Sequence, residues 1–164
     1  FSDSENEDEN EDGEGEGDVE EGKKSEPKPK TKEEQDKEVF FEAIELVQKE
    51  IGSITKATSD IERINEQAQK ALTTEKETEL SRKLRKVIDS SNKRAKGAKN
   101  LLGELKKENE DLKEKKEVPS SDMRVRENLL NTLTRKFIDE MKLYQGAQTK
   151  YKADIQKKMR HGAV

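Results

Sequence analysis

The sequence predicts an all-α protein: an elongated antiparallel up-down-up three-helix bundle with a disordered acidic N-terminal tail. Three observations predict it. Apolar and small residues recur at alternating steps of three and four from Phe40 to Ile155. Breaks at Thr74 and Pro119 divide that pattern into segments of similar length. Finally, 27% of the 164 residues are hydrophobic and 44% charged, which provides for a thin rod-like core rather than a globular one.

The tail is read from charge. Residues 1–22 hold twelve Asp and Glu, no Lys or Arg, and Val19 as the one aliphatic side chain. Self-repulsion and the lack of apolar area leave nothing to offset chain entropy, so disorder is expected. A Pro- and Lys-containing linker follows to Lys37, with Pro27 and Pro29 favouring extended backbone. Residues 1–37 carry sixteen acidic and six basic side chains, a net of −10; with −4 for the whole chain, residues 38–164 hold about +6. The chain opens on Phe1 inside acidic sequence, which reads as a fragment or processed chain.

Each helix follows from its stripe. The first, over about 38–72, carries Phe40, Ile44, Val47, Ile51, Ile54, Thr58, Ile61, Ala68 and Leu72, with Asn65 in the place between Ile61 and Ala68. The second, about 75–115, carries Leu80, Leu84, Val87, Ser91, Ala95, Ala98, Leu102, Leu105 and Leu112. The third, about 121–159, carries Leu130, Leu133, Phe137, Met141, Tyr144, Gln148, Tyr151 and Ile155, and residues 161–164 are expected to fray. Thr74 and Glu77 have the spacing of a capping box for the second helix, and Ser120 and Ser121 after Pro119 are candidate N-caps for the third. Acid-before-base pairs such as Glu45 with Lys49 and Glu79 with Lys83 read as solvated struts. A single such helix cannot bury its stripe, and short connections make neighbours antiparallel, so an intramolecular, monomeric bundle is expected in preference to a dimeric or trimeric coiled coil.

Composition excludes most chemistry. The chain has no cysteine, hence no disulfide scaffold or thiolate metal site, and His161 is the sole histidine, near a chain end. Asp8, Asn10, Asp12 and Gly13 imitate the start of a calcium loop, but Val19 stands where a bidentate Glu is required. Gly97 and Gly103 do not form a phosphate loop, since Glu104 follows. No run of apolar residues is long enough to span a bilayer. A non-enzyme with no cofactor and no metal is therefore expected. About +6 over residues 38–164, with five aromatic side chains among them, is weak support for nucleic-acid binding.

The stripes differ in width. On the second helix Val87 and Leu101 lie to one side of the seam and Ile88 to the other; on the third, Leu129 and Ala147 lie to one side and Ile138 to the other. A three-helix core needs about three residues in seven, which accounts for much of this surplus. The remainder could flank a groove between helices two and three, ready for a fourth amphipathic helix, with Val87, Arg94, Leu101, Leu129 and Ile138 as candidates. Arg124, Arg126, Arg135 and Lys136 have two readings: a solvated face partnered by Asp122 or Asp139, or, for Arg124 and Arg126, a link from the third helix to its neighbours or to a partner.

The run from Ser121, S-D-M-R-V-R-E-N-L-L-N-T-L-T-R-K-F-I-D-E-M-K-L-Y-Q-G-A-Q-T-K-Y, closely resembles the third helix of the syntaxin N-terminal domain, called Habc. The family pattern falls on Asp122, Arg124, Arg126, Leu133, Phe137, Met141, Tyr144, Gln148 and Tyr151. Weaker support comes from Phe40 and Phe41 in F-F-E-A-I and from Asn92, Lys93, Lys99 and Leu101. The resemblance spans about residues 38–159 and does not speak for the tail.

The resemblance implies a non-catalytic regulatory domain of a SNARE in vesicle docking and membrane fusion, on the cytoplasmic face of a membrane, most readily the plasma membrane. In such syntaxins the domain folds back on its own SNARE helix, held between the second and third helices, and so withholds it from partner SNAREs. Proteins of the SM (Sec/Munc) family bind that arrangement. The SNARE helix and C-terminal anchor would lie outside this chain. Two other readings compete: a generic spectrin-like scaffold, and a basic helical module binding anionic membrane or nucleic acid. The missing Trp in the first helix argues against a spectrin repeat.

Overall fold

Three long helices with tight connections build the domain. The computed structural model describes Gly22 and residues 25–162, so the expectations for the acidic tail and for the calcium-loop imitation at Asp8 to Val19 lie outside the described residues. The chain divides into a unit over residues 1–30, whose described residues carry no regular secondary structure, and the helical unit from Thr31 onward. The helices are α1 (Lys32–Lys70), α2 (Thr74–Lys115) and α3 (Ser120–Gly162). At 1.5 Å per residue each is about 60 Å long.

The helix ends differ from the sequence reading in instructive ways. α1 begins at Lys32, within the stretch assigned to the linker, because Thr31 and Glu34 form a full capping box: each side chain bonds the other residue's backbone N–H at 3.2 Å. The first turns lack apolar residues, so only the cap marks them. The box expected at Thr74 and Glu77 is not the one used. Thr73 caps α2, accepting from the Lys76 N–H at 3.2 Å, and its third helical position is Lys76, which cannot complete a box. α1 ends at Ala71, whose extended backbone (φ −66°, ψ 132°) tucks its own side chain inward and leaves Leu72, expected in the seam, 97% exposed. α2 ends on Lys116 in the left-handed region (φ 52°), with the Glu117 N–H reaching back to the Leu112 carbonyl. α3 continues through His161 to Gly162 rather than stopping at 159.

Two ends of the bundle fix the topology. At one, Arg126 near the start of α3 meets Phe40 and Asp36 of α1 and Asn109 late in α2. At the other, Lys158 near the end of α3 meets the last carbonyls of α1 and Glu77 at the start of α2. α1 and α3 therefore run parallel and α2 antiparallel, giving the up-down-up order. The core is a single seam, Phe40 to Ala71 against Leu80 to Leu105 and Leu130 to Ala147. Asn65 holds its expected seam position, buried, its amide donating to Asp154 Oδ2 of α3 at 2.8 Å; a polar group so placed fixes helix register. Asn109 occupies the step between Leu105 and Leu112 that looked empty in the sequence.

Two stability tests follow from these boundaries. Because Thr31 caps α1 and Lys32 to Lys37 belong to it, and Lys37 pairs with Asp122 of α3 at 3.0 Å, deleting residues 1–37 is expected to cost about 1–2 kcal/mol more than deleting 1–30, read by denaturant unfolding. Gly97 and Gly103 sit inside α2 with no atom within 4 Å of where a Cβ would stand, so no neighbouring helix requires them. Gly103→Ala is expected to stabilise the bundle by about 0.5–1 kcal/mol in the same assay.

Candidate functional site

The three helices do not pack equally. α1 packs extensively against both neighbours, whereas α2 and α3 meet much less, which leaves their shared side the least covered. Near its middle the side is bridged by Tyr144, whose hydroxyl donates to Asn92 Oδ1 at 2.8 Å with the Ile88 carbonyl oxygen at 3.2 Å. Burial, first among several influences, holds the Tyr144 phenol above its ordinary pKa. The residue that looked like plain packing is therefore also the hydrogen-bonded strut of this seam.

Beyond Tyr144 lies a cleft of about 730 Å³ between the first turns of α2 and the last turns of α3. Its floor is apolar, from Ala68, Tyr151, Ile155 and Met159; its α2 wall is Thr78, Ser81, Arg82 and Arg85. Met159 is 69% exposed although it continues the apolar side of α3. Lys158 closes the end: its ammonium donates to the Ala68 and Ala71 carbonyls at 2.6 and 2.9 Å and to Glu77 Oε1 at 3.1 Å, satisfying the free carbonyls of α1. An open trough with an apolar floor and cationic wall can receive an amphipathic helix; nothing in it resembles an array of acids and bases.

The sequence-selected groove residues are not gathered in one place. Val87 stands beside Ser53, Ala57 and Asp60, and Arg94 donates to the Ser53 hydroxyl at 2.7 Å, so both face α1. Leu101, one heptad beyond Arg94, continues that flank half-buried against the core. Leu129 lies one heptad from Asp122, which pairs with Lys37 of α1, and is also half-buried. Ile138 alone is on the α2-facing flank of α3, three turns on from Glu127, which pairs with Lys113 of α2; it is 46% exposed. A helix pattern separates the flanks of a stripe but does not say which neighbour each flank meets. A charge at Leu101 would strike the α1–α2 contact.

The family-pattern residues serve mainly to build α3 into the bundle. Leu133, Phe137 and Tyr144 are buried; Met141, Gln148 and Tyr151 are half-buried beside them. Arg124 is exposed, whereas Arg126 is only 4% exposed and stacks its guanidinium 4.5 Å from the centre of the Phe40 ring, with contacts of 3.5 Å to Asn109 Oδ1 and the Asp36 carbonyl. Of the two readings of these arginines, Arg126 takes the link between helices. Arg126 is in step with Leu130 and Leu133, a signal that could have placed it inside; Lys158 and Asn109 gave no chemical signal of their own. Among the described residues no cluster of His, Asp or Glu is placed to hold a metal ion, and no helix is long and apolar enough to cross a membrane.

A family model described as Syntaxin matches residues 34–161, which is most of the chain and all but the ends of the bundle. The chain belongs to the syntaxin family. Its three helices are the syntaxin N-terminal Habc domain, a non-catalytic module. The syntaxin fold is seen independently: a chain in the crystal structure of the Unc18-syntaxin 1 complex from Monosiga brevicollis is similar at a TM-score of 0.64 and 20% identity, over 76% of this chain and 68% of that one. No curated protein is significantly similar to this syntaxin in sequence.

Proposed function

We propose that this Habc domain controls access to a syntaxin SNARE helix by holding it along the open side between α2 and α3, and that an SM-family protein binds the domain in that state. The observation that carries the reading is the cleft between α2 and α3, the least closely packed of the three helix pairs, with an apolar lining from Tyr151, Ile155 and Met159. A SNARE helix has one apolar face. Buried here, that face is withheld from partner SNAREs, which is inhibition by competition. Tethering in one protein supplies a high effective concentration, so a weak site suffices. The similarity to a chain of an Unc18–syntaxin complex supports the SM-family partner, and the family supports a place at the cytoplasmic face of a membrane, with the plasma membrane as the expected site.

The test is a titration of the Habc domain with a syntaxin SNARE-helix peptide, read by circular dichroism or calorimetry. Met159→Glu is expected to weaken binding about ten-fold by placing a charge against the buried face of the peptide. Because Met159 is exposed in the free domain, its melting temperature should stay unchanged. Leu46→Glu, on α1 and 49% exposed, is the control and should bind as wild type. Equal loss in both variants, or loss in neither, would place the helix elsewhere.

A further inference from the structure

The densest run of basic charge in this domain lies along the middle of α2, although α3 as a whole carries ten Lys and Arg against five acids. Between Arg82 and Lys107 α2 carries ten Lys and Arg against two acids, Asp89 and Glu104, whereas α1 carries six bases against ten acids. All ten bases are exposed. Lys83 pairs with Glu79 and Arg94 is held by Ser53, but the other eight have no ion-pair partner among the described residues. Helical spacing sets Lys86, Lys93, Lys96 and Lys107 on the face opposite the buried Leu84, Ser91, Ala98 and Leu105. The row from Lys86 to Lys107 is about 32 Å long.

From this we infer that the outer face of α2 is an electrostatic docking surface for the anionic headgroups of a lipid bilayer, against which the helix lies flat. Charge complementarity and the lack of apolar side chains on the face select the occupant, Asp89 being the acid interspersed among the lysines. α2 contributes none of the exposed large hydrophobic side chains, so a partner helix or protein would find no apolar anchor there. It has no aromatic residue on which bases could stack, and six of the eight unpaired bases are lysines, point charges without the planar fork used to read nucleic acids. A straight row of lysines on long flexible stems suits a plane of diffuse negative charge, where each base near the surface contributes about five-fold in binding. The chain's net charge of −4 does not prevent this, since charges more than about 8 Å apart are screened at physiological salt. The surface is separate from the α2–α3 cleft, whose cationic wall uses Arg82 and Arg85.

The experiment is co-sedimentation of the full chain with vesicles of phosphatidylcholine alone or doped with phosphatidylserine, across a salt series. Binding is expected to the doped vesicles only, and to fall as salt rises. Replacing Lys86, Lys93, Lys96 and Lys107 by Gln should lower it at least about ten-fold, since not every base reaches the headgroups. Gln keeps helix propensity, so the melting temperature should hold; the single variant Lys93→Glu, which should lower binding measurably, repeats the test should the quadruple variant melt. The same four-charge change on α3, at Lys136, Lys142, Lys152 and Lys157, should cost less than about two-fold, marking the effect as local. The proposal is overturned if both vesicle types bind alike, if neither binds, if the α3 variant loses as much as the α2 variant, or if duplex DNA binds in place of vesicles. Arg82 and Arg85 are untouched, so failure here leaves the helix-docking reading standing.

Discussion

Phe137→Ala is expected to lower the unfolding free energy by about 3–5 kcal/mol, the cost of a large aromatic cavity in a core that relaxes only partly. Phe137 is 8% exposed and lies on the α3 stripe between Leu133 and Tyr144. The core is a close-packed seam flanked by partly buried side chains such as Met141 and Leu129, which can fill such a space only in part. Its neighbour Ile138 provides the contrast. One residue on, about 100° around the helix, Ile138 is 46% exposed, and Ile138→Ala should stay within about 0.5–1 kcal/mol. Equilibrium denaturation of both variants checks the two together, and similar losses would mean that the face of α3 is wrongly assigned.

Arg126→Ala is expected to cost about 2–4 kcal/mol, unusual for an arginine in a chain so rich in exposed charge. Its guanidinium is desolvated over the Phe40 ring, an interaction worth about 2 kcal/mol or more in such a setting. Its removal also strips Asn109, whose amide nitrogen already has no partner, of the contact its oxygen makes, and an unsatisfied buried group costs about 1–3 kcal/mol. Arg124→Ala, two residues away and exposed, should change stability by less than about 0.5 kcal/mol. Arg126→Lys should fall between, since an ammonium keeps the charge but not the flat stacking face. Urea denaturation of the three variants gives the order directly; a loss for Arg124→Ala equal to that for Arg126→Ala would show the charge, not the stacking, to matter.

What the sequence made legible, and what it did not, follows from the kind of signal each feature leaves. The seams were legible because burial of a helix face imposes a period: Phe40, Ile44, Val47, Ile51, Ile54 and Ile61 are all buried as their spacing requires. The start of α1 was hidden because its first turns contact little that is apolar; only Thr31 and Glu34, three residues apart, record it. Leu72 was misread because periodicity continues on paper past the point where Ala71 turns the backbone away. The excess of apolar positions on α2 and α3 is legible in the sequence, but the neighbour each one meets is not. Val87 and Leu101 are surplus on α2, yet a lone helix pattern cannot say which neighbour they meet; Val87 lies beside Ser53 and Ala57 of α1, and Leu101 packs half-buried against the core. The cleft is lined by residues of all three helices, Ala68, Ser81 and Ile155 among them, and a site assembled from separate helices is encoded by no single stripe.

The account rests on a helix docking between α2 and α3, and a site-resolved label tests it most directly. The chain has no cysteine, so Ser81→Cys on the α2 wall of the cleft and Ser90→Cys on the α1-facing flank each give one attachment point for an environment-sensitive fluorophore. On titration with a syntaxin SNARE-helix peptide, the probe at position 81 should shift to the blue and become shielded from an aqueous quencher, while the probe at position 90 stays unchanged. A response at position 90 alone, or none at either position with the peptide demonstrably bound, would contradict it.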